Sequence, residues 1–193
     1  MALGHPVDEA GRTSPHPNWP EERAAPGGLD LIRRFCNTVN HESGADRLGE
    51  PEGLVRWADS EAITVDGIDI GDLERIVEFR EALRTHLVRH RDRTHAVVAE
   101  LAPFVDGVGI SFSAGDPLVL VATGRTVADR VIGTVALTVI EAERQMRWPR
   151  FKACRHCSWA FYDASKNRSG RWCSMSACGG RAKVDAYRRR NHT

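Results

Sequence analysis

The sequence contains no apolar run approaching the roughly 20 residues that a helix needs to span a bilayer, and its mean hydropathy is −0.38. It also lacks the basic-then-apolar order of a secretory signal, because Asp8 and Glu9 stand where an apolar core belongs. These two absences predict a cytoplasmic protein without a membrane span. No internal repeat is visible. There is no glycine-rich phosphate loop, and no Ser/His/Asp or paired-carboxylate spacing stands out, so no catalytic residue is assigned and an enzyme is not expected. Net charge is almost absent as well, at 27 Lys+Arg against 26 Asp+Glu. Hydrophobic content of 41% nonetheless excludes a wholly disordered chain, and 193 residues suit one ordinary domain or a medium domain with a small appendage.

The near-zero charge is a cancellation. From Arg150 to Thr193 eleven Lys+Arg face only Asp163 and Asp185, a local net of +9, which leaves −8 for residues 1–149. Cysteine divides the same way. Cys154, Cys157, Cys173 and Cys178 lie in the basic piece and Cys36 alone lies outside it. In a cytoplasmic protein such a cluster reads as a metal site before it reads as disulfides.

Residues 1–27 hold five of the nine prolines and no apolar period, which predicts a disordered lead-in, Trp19 included. Leu29, Ile32, Phe35 (or Cys36) and Val39 then recur at helical spacing, with Cys36 as a small core residue. Pro51 opens a short helix containing Leu54, Val55, Trp57 and Ala58. Asp72 suits the N-cap of a longer helix reaching about Arg91, with Leu73, Ile76, Val77, Leu83 and Leu87 on one face and Arg and Glu filling the others. His86, His90 and His95 invite a metal reading, but surrounding arginines and the lack of a spaced carboxylate argue against it. Thr94 suits the cap of another helix reaching Phe104. Val108, Ile110 and Phe112, a turn at Ala114–Pro117, and Leu118–Val121 predict a β-hairpin, and Val127 to Met146 a long buried helix. Residues 28–148 therefore read as a mainly helical domain, and the fold class as α+β.

Residues 149–193 read as a small treble-clef-like or ribbon-like four-cysteine zinc module. Cys154-x2-Cys157 and Cys173-x4-Cys178 supply two close thiolate pairs, which favour one Zn2+ over an iron–sulfur cluster and fill its shell, so the zinc is structural. Binding free energy then becomes folding free energy for a segment too short to build its own core. Trp159–Tyr162 and Arg171-Trp172 flank the turn-rich Lys166–Gly170, which suggests a short hairpin, and Trp159, Phe161 and Trp172 are expected to pack rather than stack on bases. A terminal helix is expected from about Arg181 to Arg190.

Four stretches of this module, Cys154-x2-Cys157, Asp163–Arg168, Arg171–Met175 and Cys178–Arg181, together with the Ala182-Lys183 and Tyr187–Arg190 tail, resemble the CGNR zinc finger. Leu29–Leu31 through Phe35–Val39 is similar, more loosely, to the start of the ABATE domain that accompanies this finger in stress-induced transcription regulators. Gly180 stands where the family's Asn belongs; an Asn there could cap the terminal helix, and Gly is itself a fair N-cap. The resemblance implies a finger that binds DNA and a front domain that senses an effector or associates. The +9 charge points the same way. Arg168, Arg171 and Arg181 are the candidates for ordered DNA contacts, while Lys183, Arg188, Arg189 and Arg190 would neutralise phosphates. A homodimer is expected, since one small module has modest specificity. The competing reading is a zinc-stabilised protein-interaction module gripping an acidic surface; RNA is a third option. For a small-molecule effector, Asn37, Thr38 and His41 are the candidate contacts, with helix capping the other explanation of Asn37 and Thr38.

Overall fold

Apolar side chains three and four positions apart put three stripes around one core, and the computed structural model, which describes residues 24–91, 101–113 and 119–191, shows how they meet. A single 3-10 turn at Gly27–Leu29 leads into α1 (Asp30–Cys36), followed by α2 (Pro51–Ser60) and α3 (Ile70–Arg91). A short α4 (Ala102–Val105) precedes the hairpin of β1 (Gly109–Ser113) and β2 (Val119–Thr123), and α5 (Val127–Arg144) closes the helical part. Residues 1–23 with Trp19, the helix start at Thr94, His95, the His90 side chain, and the turn at Ala114–Pro117 lie outside the described residues. No helix among the described residues is long and apolar enough to cross a membrane.

Ile32, Phe35 and Cys36 of α1 pack with Ile76, Phe79, Leu83 and Leu87 of α3 and with Val131, Ile132, Val135 and Val139 of α5, all buried. The helices are pinned at their ends by side chains. Thr126 and Asp129 form a reciprocal capping box on α5, and Asp72 accepts a hydrogen bond from the Ala128 N–H, 2.9 Å. Asp72 therefore caps α5 from a neighbouring helix. Its own helix begins two residues earlier, with Asp69 accepting from the Asp72 N–H, so the expected N-cap moves to Asp69. α1 is also shorter than its apolar period suggests. It ends at Cys36, and Val39 pairs as an isolated bridge with Asp46.

Gly133 stands mid-helix for a packing reason. A Cβ there would lie 2.7 Å from the Ala122 Cβ of β2 and 2.6 Å from Val108, so only glycine lets the hairpin approach α5 this closely.

The C-terminal part is built from β3 (Phe151–Ala153), β4 (Ala160–Tyr162) and α6 (Gly180–Asn191), with one π-helical turn at Met175–Gly179 before α6. β3 and β4 pair antiparallel, Phe151 opposite Tyr162 and Ala153 opposite Ala160. The expected hairpin around Lys166–Gly170 is thus displaced: Ala160–Tyr162 turns back on Phe151–Ala153 across the first cysteine pair, and Arg171-Trp172 forms no strand. The helical core does not stop at Trp148. Phe151, Ala153, Ala160 and Tyr162 belong to the same buried cluster as α1, α3 and α5, with Trp148 stacked on His86 at a centroid distance of 5.5 Å. The architecture is α+β: a mainly helical part with one hairpin, then a small module organised around four cysteines.

Candidate metal centre and basic surface

The first cysteine pair sits in the turn of the β3–β4 hairpin. Cys154 donates its N–H to the Trp159 carbonyl at 2.8 Å, Ser158 donates to the Cys154 carbonyl at 3.0 Å, and Ser158 takes a positive φ of 59°, which folds the Cys154–Cys157 turn inward. The second pair lies at the π turn that leads into α6. Ser174 caps that turn by accepting from the Ala177 N–H, placing Cys173 just before it and Cys178 within it. A hairpin turn plus a helix start is the treble-clef-like of the two expected arrangements. Arg155 donates its N–H to the Arg171 carbonyl, stitching the two halves together.

All four sulfurs are buried and lie within 4.8 Å of one another. Cys157, Cys173 and Cys178 are mutually 3.6 Å apart. Sulfurs at about 2.3 Å around a tetrahedral ion are separated by about 3.8 Å, so the donor set fits Zn2+. An iron–sulfur cube, interposed between its cysteines, needs them farther apart. Four thiols converging in one buried cluster are the arrangement that a divalent cation stabilises by taking them as thiolates. The four cysteines form one zinc site. Zinc there supplies cross-linking and charge neutralisation, and with four thiolates no position is left for a reacting water. Phe161 is buried against the cysteines, with Trp159 and Trp172 half-buried beside them, as a substitute core. Cys36 stands apart, fully buried, its thiol pushed up to about 12 by burial and so unreactive.

Between the cysteine pairs, a buried ion pair organises the loop. Lys152 of β3 donates to the Asp163 carboxylate at 2.7 Å and to the Arg168 carbonyl at 2.5 Å. Asp163 also accepts from the Ser165 N–H at 3.1 Å and the Gly170 N–H at 2.8 Å, and Arg150 donates to the Asp163 and Ser165 carbonyls. Burial opposes the charge on Asp163, but Lys152 and these amides outweigh it and hold the carboxyl at about 2. Gly170 is required because a Cβ would meet that carboxylate at 2.7 Å. The loop is closed from within, leaving Lys166, Arg168 and Arg171 exposed, Arg168 at a φ of 49°.

Arg181, Lys183, Arg188, Arg189 and Arg190 are exposed on α6. Gly180, at the family's Asn position, is the first residue of α6, whose start is already capped through Ser174 and the preceding π turn. Arg181 is engaged by the front part of the chain, donating to Glu42 at 2.9 Å, with His156 3.8 Å from the same carboxylate.

The three expected effector contacts are placed otherwise. The Asn37 side chain is buried and makes two hydrogen bonds to one residue of β4, donating to the Ala160 carbonyl at 2.9 Å and accepting from its N–H at 2.8 Å. Thr38 is buried, donating to the Phe35 carbonyl and accepting from Arg80. His41 is exposed, 3.7 Å from Glu81. Asn37 is thus a strut between α1 and the zinc hairpin. Arg84, one of the Arg and Glu residues expected to fill the other faces of α3, is a second strut. It is buried and donates to the Cys36 carbonyl at the end of α1 and to the Ser158 carbonyl of the zinc turn at 3.1 Å. Arg80 is likewise buried, paired with Asp46 at 2.7 Å.

Two family models match the chain. The one described as CGNR zinc finger covers residues 150–191, which contain the four cysteines and the basic helix. The one described as "Putative stress-induced transcription regulator" (ABATE) covers residues 29–142. No curated protein matches the sequence.

Proposed function

The chain belongs to the ABATE family, described as "Putative stress-induced transcription regulator", and carries a CGNR zinc finger over residues 150–191, and from that premise we propose that it is a DNA-binding regulator working in the cytoplasm. In this reading the finger contacts DNA, and the front domain dimerises and senses an effector. One observation carries the DNA part. The finger displays Arg168, Arg171, Arg181, Lys183, Arg188, Arg189 and Arg190 at its surface on a scaffold held by zinc and by the Lys152–Asp163 clamp. A loop ordered before binding pays little conformational entropy when it meets a phosphate backbone. Arg168 and Arg171 beside the clamp and Arg181, oriented by Glu42, suit fixed contacts, while Lys183, Arg188, Arg189 and Arg190 suit phosphate neutralisation. Of the three effector candidates, His41 alone presents its side chain to solvent.

Fluorescence anisotropy of the zinc-loaded chain with a pool of promoter duplexes tests the reading. The log of the affinity should fall by about 0.9 per phosphate contact for each decade of salt. Replacing Arg188, Arg189 and Arg190 by Ala should lower that slope by about 3 at most. No binding even at low salt refutes the proposal.

The protein-interaction reading is favoured by one contact, Arg181 on Glu42, in which the basic helix already grips an acidic side chain of the same chain. Under that reading the triple alanine variant changes oligomer mass and leaves DNA retention unaltered.

A further inference from the structure

The β1–β2 hairpin is unusual for a surface element. Its strands, Gly-Ile-Ser-Phe-Ser and Val-Leu-Val-Ala-Thr, hold no charged residue and no proline, the devices by which sheet edges are ordinarily kept from pairing. Among the described residues the sheet has two strands only, so each presents an open edge. The register puts Ile110 and Phe112 opposite Ala122 and Leu120 on one face, and Val119 and Val121 opposite Ser113 and Ser111 on the other. Ala122 is buried on α5 at Gly133, but Ile110, Phe112, Val119, Leu120 and Val121 are 41–65% exposed, and Ile140 on α5 is 57% exposed. Val119, Leu120 and Val121 also wall a groove of about 960 Å³ whose other side includes Leu137 and Ile140.

Counted over both faces of the hairpin and Ile140, these side chains expose roughly 600 Å², the upper end of what the largest apolar patch on a typical monomer reaches, and an edge-to-edge contact adds strand backbone toward the ~800 Å² that each partner contributes to a stable interface. We propose that this face is the dimer interface and that its occupant is a second copy of the chain, the two meeting hairpin to hairpin about a two-fold axis. An antiparallel strand edge is its own complement under such an axis, so one exposed edge supplies both halves of the contact. The strands carry no charge, and the other wall of the groove carries both signs, with Arg130, Glu141 and Arg144, so neither selects a partner of one net charge. The inference rests on the dimerisation assigned to the front domain above and adds the surface that performs it.

Sedimentation equilibrium of the zinc-loaded full chain tests this without DNA. The wild type should have twice the chain mass at micromolar concentration. Phe112→Lys and Val119→Lys, on opposite faces of the hairpin, should each give the chain mass with zinc content and helical circular dichroism unchanged. Amide exchange reads the same interface without any substitution, since β1 and β2 should exchange more slowly as wild-type concentration rises. A wild-type monomer overturns both the surface and the dimerisation reading. A dimer that survives both substitutions, with no concentration dependence of exchange in β1 and β2, overturns the surface alone. A dimer that forms only after deletion of residues 1–23 also overturns it, because the chain's own N-terminal segment would then be the occupant.

Discussion

Replacing Asn37 by Ala should destabilise the whole chain, although Asn37 lies more than a hundred residues from the finger that it supports. The substitution removes the donor to the Ala160 carbonyl and the acceptor of the Ala160 N–H, both within 2.9 Å, and Ala160 is fully buried. Two backbone groups are left without partners in a site water does not reach, at about 1–3 kcal/mol each, so a total near 3 kcal/mol is expected. That is a large fraction of the roughly 5–15 kcal/mol that holds a typical domain together. For a folded unit of this size it corresponds to a drop of roughly 6–12 °C in the thermal midpoint. Urea unfolding should be followed by far-UV circular dichroism and, in parallel, by release of zinc to a chromophoric chelator. Because Phe151, Ala153, Ala160 and Tyr162 share the core of α1, α3 and α5, both signals should move together in the wild type and shift together in the variant. A loss under about 0.5 kcal/mol, the range of ordinary surface substitutions, would refute the strut. So would zinc release that shifts alone while the helices unfold at the wild-type midpoint.

Cys173→Ala, or a strong chelator, should abolish the one zinc per chain and lower the stability of the helical part as well, as metal analysis and amide exchange in α3 will show. Lys152→Met strands the buried Asp163 carboxylate and should cost about 3–5 kcal/mol, read by denaturant unfolding together with faster proteolysis near Arg168. Stability should also decline on mild acidification. Burial, then the charge of Arg89, hold the His86 pKa below its ordinary 6.5, and Trp148 donates to its Nε2 at 3.3 Å. Folding therefore favours the neutral ring. Stability is full above pH ~6.5 and falls as pH drops from there through the folded-state value. Thermal midpoints at pH 7.5 and 5.5 should differ less in His86→Gln than in the wild type, and an equal difference would remove His86 from the account.

The zinc ligands were legible because metal coordination fixes residue type and local spacing together, and two cysteine pairs suffice to write both. The helical stripes of α3 and α5 were legible because each is long enough to show a period. What connects the two parts was not. β3 and β4 have three residues each, too few for an alternation signal, and Lys152 inside β3 reads as a polar interruption until Asp163 is seen to neutralise it. Arg80 and Arg84 were left among the Arg and Glu that fill the other faces of α3, because periodicity sorts apolar from polar residues and cannot tell a polar face that meets water from one that meets carbonyls. Asn37 carried the same ambiguity, since a residue at a helix end is equally well explained by a cap, a ligand contact or a strut. These three residues bear on function as well as on folding. With its strands in the front domain's core, β4 tied to Asn37 and the zinc turn tied to Arg84, the finger is not a module swinging on a linker. In the proposed reading, a signal received by the front domain reaches DNA by changing whether two copies associate, or how far apart their fingers stand, rather than by loosening one finger within a copy.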